Sequence, residues 1–121
     1  MQHSKYSFPH DRLQVFQVSL EMATQAKGIA DGIPRGHRSL ADQLLRASAS
    51  VVLNTAEGAN RTTSGAKRQR YSEARGEAGE VAANLTLLTA LDLAPAEQCQ
   101  AVIHLAGRVA AMLTRLIASV D

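Results

Sequence analysis

The segment from Leu40 to Arg61 constrains the fold most, because almost all of its strongly polar side chains fall on one stripe of a helix. At about 100° per residue, that stripe spans an arc of roughly 80°. The remaining surface is apolar or small, whereas an ordinary surface helix has a narrower apolar stripe and a broad polar face. We therefore expect this helix to be covered on more than one side, by its own domain and by a neighbouring subunit. The polar stripe consists of Gln43, Arg46, Ser50, Asn54, Glu57 and Arg61.

The composition favours an all-α fold. The chain of 121 residues includes 21 alanines and 14 leucines but only four aromatic residues. Alanine and leucine are strong helix formers, whereas the aromatic and β-branched residues that favour strands are scarce. The apolar content of 45% is ordinary for a globular protein, and the length is close to the commonest domain size. We predict one all-α domain over residues 1–121.

Turn signals divide this domain into four helices. Gly32 and Pro34 end the first helix, Ser64 is a possible N-cap of the third, and Pro95 opens the fourth. The helices are predicted at about 9–30, 38–59, 65–90 and 95–120, with residues 1–8 as a flexible arm. Because short connections place sequential helices side by side, we expect an antiparallel up-down-up-down four-helix bundle. Interior glycines cost about 0.5–1 kcal/mol each, so Gly76 and Gly79 suggest that the second helix packs tightly against the third.

Apolar residues at helical spacing predict which side chains of the other helices form the core. The first helix offers five such positions, and the third and fourth offer six each. These positions are Leu13, Phe16, Leu20, Ala23 and Ile29; Tyr71, Ala74, Ala78, Val81, Leu85 and Leu88; and Val102, Ala106, Val109, Leu113, Leu116 and Val120.

A basic segment follows the second helix, although the net charge of the whole chain is only +2. Between residues 61 and 75 five basic side chains accompany one acidic residue, so this segment carries +4 and the rest of the chain −2. Such a patch is compatible with binding to nucleic acid or to an acidic protein, and equally with a solvated loop and helix start. The candidate nucleic-acid contacts are Arg61, Lys67, Arg68, Arg70 and Arg75.

The sequence contains little that indicates catalysis. No glutamate is followed three residues later by histidine, so a di-metal site of the ferritin type is not expected, and neither is a cofactor. No phosphate-binding glycine loop or nucleophile elbow is present. Glu73, Glu77 and Glu80 share one face of the third helix and could bind a cation, but we favour a solvated or arginine-paired face. Glu57 is expected to pair with Arg61 four residues later. We predict that the protein is not an enzyme.

The sequence favours a soluble, cytoplasmic protein. The single cysteine, Cys99, excludes an intramolecular disulfide and suits a reducing compartment. No signal peptide is visible at the N-terminus, and no uninterrupted apolar stretch approaches the ~20 residues that cross a bilayer.

The polar stripe also carries a resemblance. Pro34 is followed by Gln43 and Arg46, by Ser50, and by an Asn-x-x-Glu-Gly-x-x-Arg signature from Asn54 to Arg61. In the third helix Ala74, Arg75 and Gly76 precede Glu80. This pattern resembles a family of small four-helix-bundle proteins encoded in intervening sequences of 23S ribosomal RNA genes, and is similar to the accessory variability proteins of diversity-generating retroelements. The chain departs from the pattern at Glu77, where serine is usual, at Ala78, where a larger apolar residue is usual, and in the bulky segment 51–53.

The resemblance implies assembly into a ring, with a homopentamer as the expected state. It places Glu80 with the polar stripe of the second helix as structural or interface residues. Its retroelement branch implies binding to a reverse transcriptase and to nucleic acid through a basic surface. We therefore predict a non-enzymatic homo-oligomeric scaffold that engages nucleic acid or a nucleic-acid enzyme. The alternative is a self-assembling protein-interaction module with no nucleic-acid role.

Overall fold

The computed structural model describes residues 7–120, and this part of the chain is helical throughout, with no strand. Four long helices account for most of it: α1 (Gln14–Asp31), α2 (Arg38–Asn60), α3 (Ser64–Ala90) and α4 (Ala96–Ser119). Two short 3₁₀ turns, Pro9–Arg12 and Arg35–His37, precede α1 and α2. The all-α prediction is confirmed, and three of the four helices begin and end close to their predicted positions.

Each helix packs against its neighbour in sequence, and α4 packs back against α1 to close the bundle. The contacts show that sequential helices run in opposite directions. Arg46 and Glu57 of α2 meet Glu80 and Arg70 of α3, so residue numbers rise along one helix as they fall along the other. The described helices therefore form the expected up-down-up-down arrangement.

The N-terminal boundary of α1 differs from the prediction. The predicted helix start near residue 9 is a separate 3₁₀ turn, and α1 begins at Gln14 because Leu13 is extended. The Asp11 carboxylate accepts a hydrogen bond from the Phe8 backbone N–H at 2.9 Å and fixes this turn. Most of the predicted flexible arm, residues 1–6, lies outside the described residues.

The bundle has one continuous hydrophobic core. All six core positions predicted for α3 are buried, as are the first four predicted for α4. The prediction for α1 is wrong, because the buried face of α1 carries Val15, Val18, Met22 and Ala26, while Leu20 is 40% exposed. Helix α1 is apolar on two faces, and the larger side chains are not the buried ones.

Helix α4 is long and apolar enough in composition to resemble a membrane span, with a mean hydropathy of 1.5. Its most apolar stripe, however, is buried inside the bundle against α1 and α3. This is the pattern of a core helix.

Candidate functional site

The polar stripe of α2 faces the polar side of α3, and the two line an open groove of about 560 Å³. Residues of both helices are needed to form it, because α2 supplies hydroxyl and amide groups while α3 supplies mainly carboxylates. The structure brings five of the predicted site residues together here, namely Arg46, Ser50, Asn54, Glu57 and Glu80. The groove is lined by Ser50, Asn54, Arg70, Glu73, Gly76, Glu77 and Glu80.

Arg46 joins the two helices at the upper part of this groove. Its guanidinium Nη1 lies 3.3 Å from Oε2 of Glu77, and its Nη2 lies 2.6 Å from Oε1 of Glu80. The side chain of Arg46 is half exposed, so these contacts are screened by solvent and contribute modestly to stability. The expectation that the glutamates of α3 form an arginine-paired face is confirmed.

A chain of hydrogen bonds runs from α2 into this cluster. The Asn54 amide donates to the backbone oxygen of Ser50 at 3.0 Å and to its Oγ at 2.9 Å. The Ser50 hydroxyl in turn hydrogen-bonds to Glu77. Asn54 therefore orients a hydroxyl that stabilises a carboxylate on the neighbouring helix, within one subunit.

Lower in the groove, Glu57 is the centre of a second cluster. Its Oε2 lies 3.0 Å from Nε of Arg70 and 3.5 Å from Nη2 of Arg61. Arg70 also contacts Glu73 at 3.0 Å. The predicted pair of Glu57 with Arg61 is present, but its partner on α3 is closer. Gln43 is exposed and, within residues 7–120, its side chain makes no hydrogen bond.

The two carboxyl groups that Arg46 contacts have opposite pKa shifts. A hydrogen bond from Glu80 lowers the pKa of Glu77, with further contributions from Ser50 and Arg46. The same hydrogen bond raises the pKa of Glu80, because the protonated Glu80 carboxyl is the donor. The pair thus holds a proton on Glu80 more readily than two independent glutamates would. Among the described residues, no group of three acidic, histidine or cysteine side chains is placed to hold a metal ion.

These opposite shifts give a prediction for two matched variants. Glu80→Gln should change the free energy of unfolding by less than about 0.5 kcal/mol, because glutamine imitates the protonated donor. Glu77→Gln removes the ionised acceptor and should destabilise by about 0.5–1 kcal/mol. Urea unfolding at pH 7 measures both, and a larger loss for Glu80→Gln would contradict the assignment of the proton.

The same pair has a pH dependence whose two parts have opposite signs. The contribution of Glu77, whose pKa is lowered, is present above the unfolded value of 4.5 and is lost as the pH falls,. The contribution of Glu80, whose pKa is raised, is present below 4.5 and is lost as the pH rises through the folded value,. In the wild type the two partly cancel near pH 4.5.

The basic segment serves partly to cap neighbouring helices. Lys67 Nζ lies 2.9 Å from the backbone oxygen of Ala59 and 3.3 Å from that of Gly58, at the end of α2. Arg68 Nη1 donates to the backbone oxygen of Val120 at the end of α4, at 3.0 Å. Arg75 Nη1 donates to Thr114 of α4 at 3.2 Å. Cations are favourable at such C-terminal carbonyls.

A second surface lies on the other side of α2, along the groove that it forms with α1. Leu53 is 64% exposed, and with Leu20 it borders a groove that also includes Ala23, Leu45 and Ala49. The sequence predicted that α2 would be covered on more than one side. In the single subunit its core face is covered and its polar stripe contacts α3, but this apolar face, which we call the α1–α2 face, is open to solvent.

The prediction for the glycines of α3 is wrong. A Cβ atom added to Gly76 or Gly79 would meet nothing within 4 Å, so α2 does not pack against them. The glycine that a neighbouring helix does require is Gly58 of α2, where an added Cβ would lie 2.5 Å from Cε1 of Tyr71. The N-cap of α3 is Thr63, rather than the predicted Ser64; its hydroxyl accepts from the Ala66 N–H at 3.3 Å.

The fold and the groove together define a small four-helix-bundle protein whose second and third helices are joined by a signature of arginine, serine, asparagine and glutamate. The family model described as "23S rRNA-intervening sequence protein" matches residues 11–115, and the chain belongs to this family. The resemblance seen in the sequence is thereby confirmed.

A solved structure has the same fold. It is a protein of unknown function from the S23 ribosomal protein family of Bacteroides thetaiotaomicron, with 20% identity and a TM-score of 0.80. The match covers 87% of this chain and 96% of the other. No curated protein matches the chain.

Proposed function

We propose that this protein is a non-enzymatic scaffold of the cytoplasm that assembles with copies of itself and presents binding surfaces to a partner. The observation that carries the proposal is the α1–α2 face. A leucine as exposed as Leu53 is unremarkable alone, but here Leu20, Leu45 and Ala49 extend the same surface. A contiguous apolar surface of this kind is typical of protein–protein contacts.

The groove between α2 and α3 supports a structural role for the polar stripe. Its arginines and carboxylates neutralise each other within the subunit, which favours a rigid connection between helices over an unpaired catalytic group. The family resemblance implies a pentameric ring, and we adopt five subunits as the expected state.

Assembly is tested by light scattering coupled to size exclusion. We expect the wild type to have several times the subunit mass of 12.9 kDa, and about five times if the ring forms. Leu53→Glu should lower this mass, because a charge buried without a partner strongly disfavours the contact. Leu91→Glu is the matched control, since Leu91 is also exposed but lies at the end of α3. A wild-type monomer would contradict the proposal.

Binding to nucleic acid, or to an enzyme that acts on it, is a second candidate. The antiparallel topology gathers the N-terminal turn, the end of α2, the start of α3 and the end of α4 at one end of the bundle. Arg12, Arg61, Arg68 and Arg115 are exposed there. This basic end supports the candidate, although Lys67 and Arg68 also cap helices, and a ring would repeat it in every subunit. The same end could equally be a solvated surface of a protein-interaction module.

Matched charge reversals separate these alternatives. Arg61→Glu with Arg115→Glu should weaken binding to a random oligonucleotide and lower the salt dependence by about two, or about one per phosphate contact. Arg35→Glu with Arg38→Glu changes the net charge equally at the opposite end and should have a smaller effect. Fluorescence anisotropy measures both, and equal binding by the two double variants would leave the basic end without a role.

A further inference from the structure

A second uncharged surface lies on the outward side of α3. Over about five turns of this helix, the positions that point away from the core carry no charged side chain. A solvent-facing helix surface is ordinarily rich in charged and polar residues. We call this surface the α3 face, and it consists of Ser72, Gly76, Gly79, Ala83, Leu87 and Ala90, all of them exposed.

The two glycines of the α3 face have no function inside the subunit. Each costs about 0.5–1 kcal/mol relative to alanine in a helix, and open space surrounds both. Their missing side chains would instead let a helix from outside the subunit approach the α3 backbone closely. Leu87, which is 43% exposed on the same face, adds an apolar side chain for that helix to contact.

The α1–α2 face has the opposite shape. It projects Leu20 and Leu53 beyond the helix surface, whereas the α3 face is small and flat around its glycines. Large side chains on one surface and small ones on another pack by interdigitation. Neither face places a charge at its centre, so bringing them together strands no ion.

The size of the α1–α2 face indicates how large its partner must be. Two helices, each about 10 Å across and about 30 Å long, present about 600 Å². A stable interface buries about 800 Å² on each partner, so a partner must cover the whole face. Another bundle of the same length meets this requirement, and a short peptide does not.

We propose that the α1–α2 face of one subunit packs on the α3 face of the next. The inference rests on the self-assembly proposed above and specifies its geometry. The two faces differ, so the contact is head-to-tail. Contacts of this kind close into rings when the rotation between subunits permits, whereas a two-fold contact pairs a face with itself.

A mixing experiment with two variants tests this geometry. Leu53→Glu blocks the α1–α2 face and leaves the α3 face intact, whereas Ala83→Glu does the reverse. Alone, each variant should be a folded monomer, with unchanged helicity by circular dichroism. Mixed in equal amounts at high concentration, they retain one compatible pair of faces and should form a heterodimer of about twice the subunit mass, with no larger species.

The other outcomes distinguish the possible failures. If Ala83→Glu keeps the wild-type mass while Leu53→Glu is monomeric, the α3 face is not the contact and the inference is overturned, but self-assembly stands. A mixture that stays monomeric also overturns it. A wild-type protein that is itself monomeric contradicts the proposed function instead.

Discussion

Gly58→Ala should destabilise the subunit by about 1–3 kcal/mol, although alanine is the better helix former. The added methyl group would lie 2.5 Å from Cε1 and 2.6 Å from Cδ1 of Tyr71. The Tyr71 side chain is buried, and that burial raises its pKa. The ring cannot move aside without displacing the core, because it packs inside a filled interior.

Gly28→Ala is the matched control for this substitution. Gly28 lies inside α1 with nothing within 4 Å of an added Cβ, so alanine there should stabilise by about 0.5–1 kcal/mol. Thermal or urea unfolding of the two variants should therefore give opposite signs. Losses of equal size at both positions would mean that the contact with Tyr71 is not the cause.

Leu85→Ala should have the largest effect among single core truncations, with a loss of about 2–5 kcal/mol. Leu85 is fully buried on the core face of α3 and is surrounded by side chains of the hydrophobic cluster. Leu91→Ala removes the same atoms from a side chain that is 51% exposed at the end of the same helix, and should cost less than about 1 kcal/mol. Similar losses for the two would contradict the orientation of α3.

The core of α3 and α4 could be predicted because each helix has a single apolar stripe of regular spacing. Helix α1 could not be resolved in this way, since it carries two apolar stripes and the sequence does not say which one faces inward. Leu20 and Phe16 were chosen for their size, yet the smaller Val15, Val18 and Ala26 occupy the core. Spacing identifies a stripe, but only the neighbouring helices decide its environment.

The candidate site was only partly visible in the sequence. The stripe of α2 was correctly located, and the acidic side of α3 was recognised as arginine-paired. The particular pairing of Arg46 with Glu77 and Glu80, across more than thirty residues, depends on the register of two helices, which local spacing does not define. Arg70 was assigned only to the basic segment, although it also lines the groove with Glu73.

The caps made by Lys67 and Arg68 have a consequence for the independence of α3. A helix start favours acidic side chains because its exposed N–H groups carry partial positive charge, yet the first turn of α3 has no acidic residue. Lys67 and Arg68 are thus unfavourable for α3 alone and favourable for the ends of α2 and α4 that lie beside it. In an antiparallel bundle, one helix can supply the charges that its neighbours require. α3 is thus a helix whose electrostatics are correct only in company.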